Sequence, residues 1–175
     1  IMTQYWLMKS DVDDYTIDDL KRDKKADWVG VRNYQARNFM RDEMKVGDSV
    51  LFYHSSCEIP AIVGLAKVKA TGVIDETQFD KKSKYYDEKS TKDNPRWICV
   101  SVVWDKDFKR ILPLTEIKQN KAFKDLRLVQ PGNRLSIMPV EKKDFDSIKN
   151  SESADTTKCI ILTSGLPFES SQESS

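Results

Sequence analysis

The apolar positions fall in short runs between charged turns, and the period of each run identifies its element. Gln4-Tyr5-Trp6-Leu7-Met8-Lys9 is apolar on both faces, which predicts a strand covered on both sides of a sheet. Ser10 and Asp11 end it. Residues 15–22 read as a short helix with Thr16 as N-cap, acids in the first turn, and Ile17 and Leu20 as core contacts. Residues 23–27 are charged and read as a turn. Asn33 is a good N-cap for a helix beginning at Tyr34, with Ala36, Phe39, Met40 and Met44 as its apolar face. After a turn at Val46-Gly47-Asp48, residues 49–54 form a strand and residues 60–70 another, an antiparallel pair joined by the loop 55–59. Gly64 inside the second strand marks a bulge or a close approach.

Residues 71–95 are polar with little periodicity and read as a long ordered excursion, pinned by Phe79, Tyr85 and Tyr86. The β-branched and aromatic run at 96–104 is the strongest strand, and residues 108–112 pair back on it across Asp105-Lys106-Asp107. Short helices follow at 114–118, with Thr115 near the cap, and at 142–149, with a further turn at 121–126 and a last strand at 134–140. Many short strands with few short helices predict an α+β fold: a mixed or antiparallel β-barrel of about five to seven strands, closed or nearly so, with helices capping its ends. The domain spans residues 1–150. Residues 151–175 turn Ser-rich and acidic and read as a tail with little structure of its own, in which Cys159-Ile160-Ile161-Leu162 can dock locally.

Charge narrows the partners only slightly. The chain has 29 Lys and Arg against 28 Asp and Glu, and the tail holds more acid than base, leaving 28 against 24 in residues 1–150. That mild basicity suits a local funnel better than a broad duplex-binding face. Cys57, Cys99 and Cys159 are widely spaced, no C-x-x-C pair exists, and His54 is the sole histidine, which argues against a zinc site. Cysteines so placed fit a reduced, intracellular compartment, cytoplasmic in a bacterium and nuclear in a eukaryote. No apolar run approaches the roughly 18 residues that a membrane helix needs, and no signal peptide is expected ahead of the first strand. No metal, cofactor or membrane is expected, and oligomeric state stays open.

Catalytic signatures are missing. There is no G-x-S-x-G elbow, P-loop or H-E-x-x-H, and the carboxylates gather in solvated-looking runs. Base recognition fits the residues better, since it needs aromatic faces for stacking with amides, cations and backbone groups at the base edge. Trp6, Trp28, Tyr53 and Trp97 are the stacking candidates, and Lys9, Ser10, Arg32, Asn33 and His54 the polar ones. Trp6 and Trp97 sit in apolar strands, where a core role competes. Trp28-Val29-Gly30-Val31-Arg32-Asn33 differs: the indole lies outside any apolar run. Gly30 lets the chain bend, so that Trp28, Val31 and Arg32 can converge near the start of the next helix.

The same stretch, extended to Asn38, resembles the EVE domain family. Tyr5-Trp6-Leu7-Met8-Lys9-Ser10, Val50-Leu51-Phe52-Tyr53-His54-Ser55, Ile62-Val63-Gly64, Thr77-Gln78-Phe79-Asp80, Tyr85-Tyr86-Asp87, Asn94-Pro95-Arg96-Trp97 and Arg134-Leu135-Ser136 also match, in order, over residues 4 to 149. Asp11-Val12 departs from the family's usual Glu-Pro. The resemblance implies a PUA-like barrel related to the YTH and ASCH domains, with a pocket for a modified nucleobase. It also implies that Lys9 and Ser10 stand at that pocket, that Trp28 stacks on the base, and that Ser136 lies close by. The expected function is therefore a non-enzymatic nucleic-acid reader of a modified base, a methylated or hydroxymethylated cytosine in DNA. An RNA-binding module and a small-molecule or nucleotide sensor using the same pocket are the alternatives.

Overall fold

The structure, a computed structural model, describes residues 2–152. Tyr5–Asp11 (β1) lies inside a sheet, parallel to Ser49–Ser55 (β3) and antiparallel to Ile137–Val140 (β6). Its side chains alternate between two cores. Trp6 and Met8 join Val50, Phe52, Val68 and Val100, whereas Leu7 joins Leu51, Tyr53, Ile62 and Met138. Both faces of β1 are covered, so the unbroken apolar run is what the position demands.

The first core is closed by two helices. Ile17–Asp23 (α1) starts on a capping box, in which Thr16 and Asp19 each accept from the other's backbone N–H, and it buries Ile17 and Leu20. Tyr34–Asn38 (α2) is capped by Asn33, whose Oδ1 accepts from the Ala36 N–H at 2.9 Å. It runs on as a π-helical turn, Phe39–Glu43, and Ala36, Phe39, Met40 and Met44 are all buried. The second core is covered by Leu114–Gln119 (α3), by 3-10 turns at Lys121–Phe123 and Arg127–Val129, and by Lys142–Glu152 (α4). The expected helix at 142–149 thus continues to Glu152, whose buried carboxylate accepts from Lys106 Nζ at 2.9 Å and the Lys109 N–H at 2.7 Å. The tail beyond it, with Cys159 and the apolar tetrad, lies outside the described residues.

Residues 23–27 are not simply a turn: Lys25–Asp27 (β2) pairs antiparallel with residues 101–103. The expected hairpin at 105–107 is absent as well. Ile98–Pro113 (β5) is one strand of 16 residues lying antiparallel to Ala61–Ile74 (β4) along its length. Register shifts bend the pair where a turn was expected, and the Asp107 carboxylate accepts from Trp104 Nε1 at 2.9 Å, holding the bend. Gly64 is the close approach its sequence suggested, since a Cβ there would lie 2.3 Å from the Lys106 carbonyl oxygen.

The six strands run β2-β5-β4-β3-β1-β6 in a mixed α+β sheet of PUA-like kind. Among the described residues no ladder joins β2 to β6, so the expected closed barrel is corrected to an open one. The reason is local. The gap is walled on one side by β2 and the turn after it, and on the other by the end of β1 and Ser136, with a cavity between. Closing the ladder would fill that cavity. No helix is long and apolar enough to cross a membrane among these residues. Cys57 and Cys99 are free thiols, and burial pushes the Cys99 thiol up to about 12, consistent with an inert packing role.

Candidate functional site

The cavity in that gap measures about 520 Å³ and is lined by Lys9, Ser10, Trp28, Val31, Arg32 and Ser136 among the residues singled out above. Lys9 and Ser10 arrive on the last residues of β1, where the strand meets the loop 11–15. The Lys9 N–H donates to the Ser136 carbonyl at 2.8 Å, tying the two walls together, and Ser10 Oγ donates to the Tyr15 carbonyl at 2.6 Å. The Lys9 ammonium makes no ion pair among the described residues. Burial lowers its pKa, and it sits 5.7 Å above the Tyr53 ring.

Trp28 is only 8% exposed. Its ring meets Phe52 edge-on at 5.5 Å, and the Trp28 backbone N–H donates to the Val100 carbonyl at 2.8 Å. The indole is both part of the first core and part of the cavity lining. Gly30, at φ +88°, makes the bend after it. A Cβ there would also lie 2.7 Å from Cε2 and Cζ of Tyr85, a second aromatic lining the cavity. Gly30→Ala is therefore expected to cost more than about 1 kcal/mol of stability and to displace the Tyr85 ring. A thermal melt beside a ligand titration checks both effects.

Arg32 lines the cavity, but all five of its N–H donors are engaged within the protein. Nε and Nη2 donate to the Tyr85 carbonyl at 3.0 and 2.7 Å, and Nη1 donates to the Val31 carbonyl at 2.8 Å and to Asp75 Oδ2 at 3.0 Å. The fifth reaches Thr77 Oγ1 at 3.1 Å. The guanidinium also packs over Trp97 at 4.9 Å and over Tyr85 at 5.5 Å. Its role in this geometry is to fasten the excursion 75–87 to the turn 28–32, which sets the distance between the Trp28 and Tyr85 walls.

The excursion is held chiefly by polar groups, contrary to the expectation that Phe79 and Tyr86 pin it. Asp75, 2% exposed, accepts from the Gly30 N–H at 2.8 Å, Arg32, the Thr77 N–H at 2.9 Å and the Thr77 hydroxyl. The fully buried Gln78 amide donates to the Asp75 and Trp97 carbonyls and accepts from the Trp97 N–H and the Ser90 hydroxyl. Tyr86 remains exposed.

Five singled-out residues lie away from the cavity, each for a visible reason. Trp6 is buried in the first core with Nε1 donating to Asp48 Oδ2 at 3.0 Å. Tyr53 projects into the second core, on the opposite face of the sheet, where burial pushes its hydroxyl up to about 12. His54 Nε2 accepts from the Ile17 N–H at 3.0 Å, and burial lowers its pKa, so the neutral imidazole anchors the start of α1. Asn33 serves as the cap of α2. Trp97 stacks under Tyr34 at 4.9 Å and 15°, with its Nε1 donating to Asp87 at 2.8 Å.

Sequence reasoning passed over Asp14, Tyr15, Asp27 and Tyr85 as cavity residues. The acids lay in runs that looked solvated, and Tyr85 had been taken only as a pin. Asp14 meets Lys84 Nζ at 3.1 Å and the Tyr85 hydroxyl at 3.4 Å, which joins the loop 11–15 to the excursion at the cavity's mouth. Among the described residues no group of three His, Cys, Asp or Glu side chains is arranged to hold a metal ion.

This geometry has close counterparts. Thymocyte nuclear protein 1 of Danio rerio is 41% identical over 169 residues, covering 86% of this chain and 72% of that protein. The human protein of the same name is 39% identical over 170 residues, covering 86% and 75%. Among solved structures, a hypothetical protein from Leishmania major superposes with a TM-score of 0.83 at 39% identity, covering 87% of this chain and 96% of that one. The human THYN1 protein in complex with 5-methylcytosine-containing DNA superposes at 0.81 with 38% identity, covering 87% and 99%. Residues 4–151 match the EVE domain. With that match running from β1 to the last turn of α4 and enclosing every wall of the cavity, the chain belongs to the EVE domain family.

Proposed function

We propose that this chain is a non-catalytic reader of modified cytosine in DNA, with the base entering the cavity between Trp28 and Tyr85. The observation that carries the reading is the cavity itself: about 520 Å³ lined by the aromatics Trp28 and Tyr85 and by Lys9, Ser10 and Ser136 at the end of β1 and beside it. A flipped base takes stacking surfaces and a polar edge contact of this kind. Support for cytosine comes from the human relative solved with 5-methylcytosine-containing DNA. A non-catalytic role is supported by His54, whose ring nitrogen is held by the Ile17 backbone and is unavailable as a base. Relatives named as thymocyte nuclear proteins support a nuclear setting in a eukaryotic source.

The test is a titration with DNA oligonucleotides carrying one cytosine, 5-methylcytosine, 5-hydroxymethylcytosine or thymine at the same position, with RNA counterparts and free 5-methyl-2′-deoxycytidine. Burying one methyl group is worth about 0.8 kcal/mol, so 5-methylcytosine should bind about fourfold tighter than cytosine. Thymine carries the same methyl and differs at N3 and position 4, so its weaker binding reports recognition of that Watson–Crick edge. Equal affinity for all four bases would overturn the reading, and tighter binding of the RNA series would reassign the partner.

A further inference from the structure

Beyond the cavity, guanidinium and aromatic groups interleave from Tyr85 outward through Arg32, Trp97 and Tyr34 to Arg37. Successive members lie 5.5, 4.9, 4.9 and 4.7 Å apart. The inner members are structural, as described above. The outer end has no such assignment. Tyr34 is 50% exposed although its ring is fixed by stacking on Trp97. Arg37 and Arg96 flank it: Arg37 lies over the ring, and Arg96 Nη1 donates to the Tyr34 hydroxyl at 3.3 Å.

Among the described residues neither arginine makes an ion pair. Arg37 is positioned by Asn38 Oδ1 and by the Arg96 carbonyl, which use three of its five donors. Arg41 stands near enough to lower the Arg37 pKa further, after the larger effect of burial, and is itself paired with Asp42. Across a shallow groove stand Tyr86, Asp87, Glu88 and Lys89, and the Asp87 carboxylate is engaged by Trp97 Nε1 and the Lys89 N–H. A pre-ordered exposed aromatic between two unpaired guanidiniums is a surface suited to a phosphodiester chain: phosphate contacts from arginine, stacking or sugar contact from the ring.

We infer that Tyr34, Arg37 and Arg96 form a phosphate-contacting surface that guides a nucleic-acid strand toward the cavity. This rests on the reading of the cavity as a base pocket. The four steps from Tyr85 to Arg37 span at most about six nucleotides stacked at about 3.4 Å each, so one strand can occupy both places. The mildly basic balance of residues 1–150 then makes sense, because the cationic surface needed is confined to one edge.

The variant to test is Arg96→Gln, since among the described residues the Arg96 side chain donates only to the Tyr34 hydroxyl, with Arg96→Lys as the charge-retaining control. Affinity is measured across a salt series for a 12-nucleotide DNA carrying one 5-methylcytosine, and separately for free 5-methyl-2′-deoxycytidine. Arg96→Gln should weaken oligonucleotide binding about 3- to 10-fold at low salt. It should also flatten the slope of log K against log salt by about one phosphate's worth, roughly 0.7–0.9, and leave nucleoside binding unchanged. Arg96→Lys should keep most of the slope. An Arg96→Gln protein with the parent's slope and affinity would overturn the inference while leaving the cavity reading intact. A parent protein that binds neither probe would remove the cavity reading and this surface with it.

Discussion

Trp28→Ala is expected to lower stability by about 3–5 kcal/mol, as truncation of a large buried aromatic does. For a chain of this size that is a fall in Tm of roughly 6–20 °C. The indole fills the first core against Phe52 and also lines the cavity, so on the proposed reading, in which the base stacks on it, binding should fall in the same variant by about 1–3 kcal/mol, or 5- to 150-fold. Separating the two losses needs Trp28→Phe, which keeps an aromatic edge against Phe52 while shrinking the wall. Its Tm should recover most of the way, with binding recovering less. A Trp28→Ala protein that melts with the parent would contradict the packing described here, and one that also binds modified DNA as the parent does would remove Trp28 from the site.

Asp75→Ala is the second large effect. It strips the carboxylate from Arg32 and leaves the Gly30 and Thr77 N–H groups without acceptors in a buried setting. Breaking one side of a buried ion pair typically costs about 3–5 kcal/mol, because the remaining charge keeps its desolvation penalty. The loss should not be confined to stability. Arg32, once released, no longer fixes the Tyr85 carbonyl, so the far wall of the cavity loosens and ligand affinity falls with it. Asp75→Asn, which retains an acceptor of the same shape, should lose less of both. Chemical denaturation with a parallel titration reads the two effects, and an Asp75→Ala protein as stable as the parent would refute the clamp.

Arg32 shows why a site residue can be named correctly by place and misjudged by role. Its position beside Gly30 could be read from the chain, and the structure does set it at the cavity. Apart from the Val31 carbonyl, what engages its donors lies more than forty residues away, at Asp75, Thr77 and Tyr85, in a stretch with no periodic pattern to place it. The same holds for Trp6 and Trp97. An indole in an apolar strand carries no mark that says which carboxylate its N–H will meet, and here Asp48 and Asp87 take them into structural roles.

Local chemistry determined the elements. The caps at Thr16 and Asn33, the double-sided apolar run of β1 and the apolar face from Ala36 to Met44 were all legible because each depends on residues within a turn or two. The ordered family motifs, Trp28 among them, were legible for the same reason. Pairing was not. Whether residues 105–107 turn or continue depends on the strand alongside, whether 25–27 is a turn or a strand depends on β5, and whether the sheet closes depends on what stands between its two edges. Those outcomes are set by contacts distant in sequence, where register, burial and hydrogen-bond partners compete. The cavity exists because that competition left the sheet open beside Trp28.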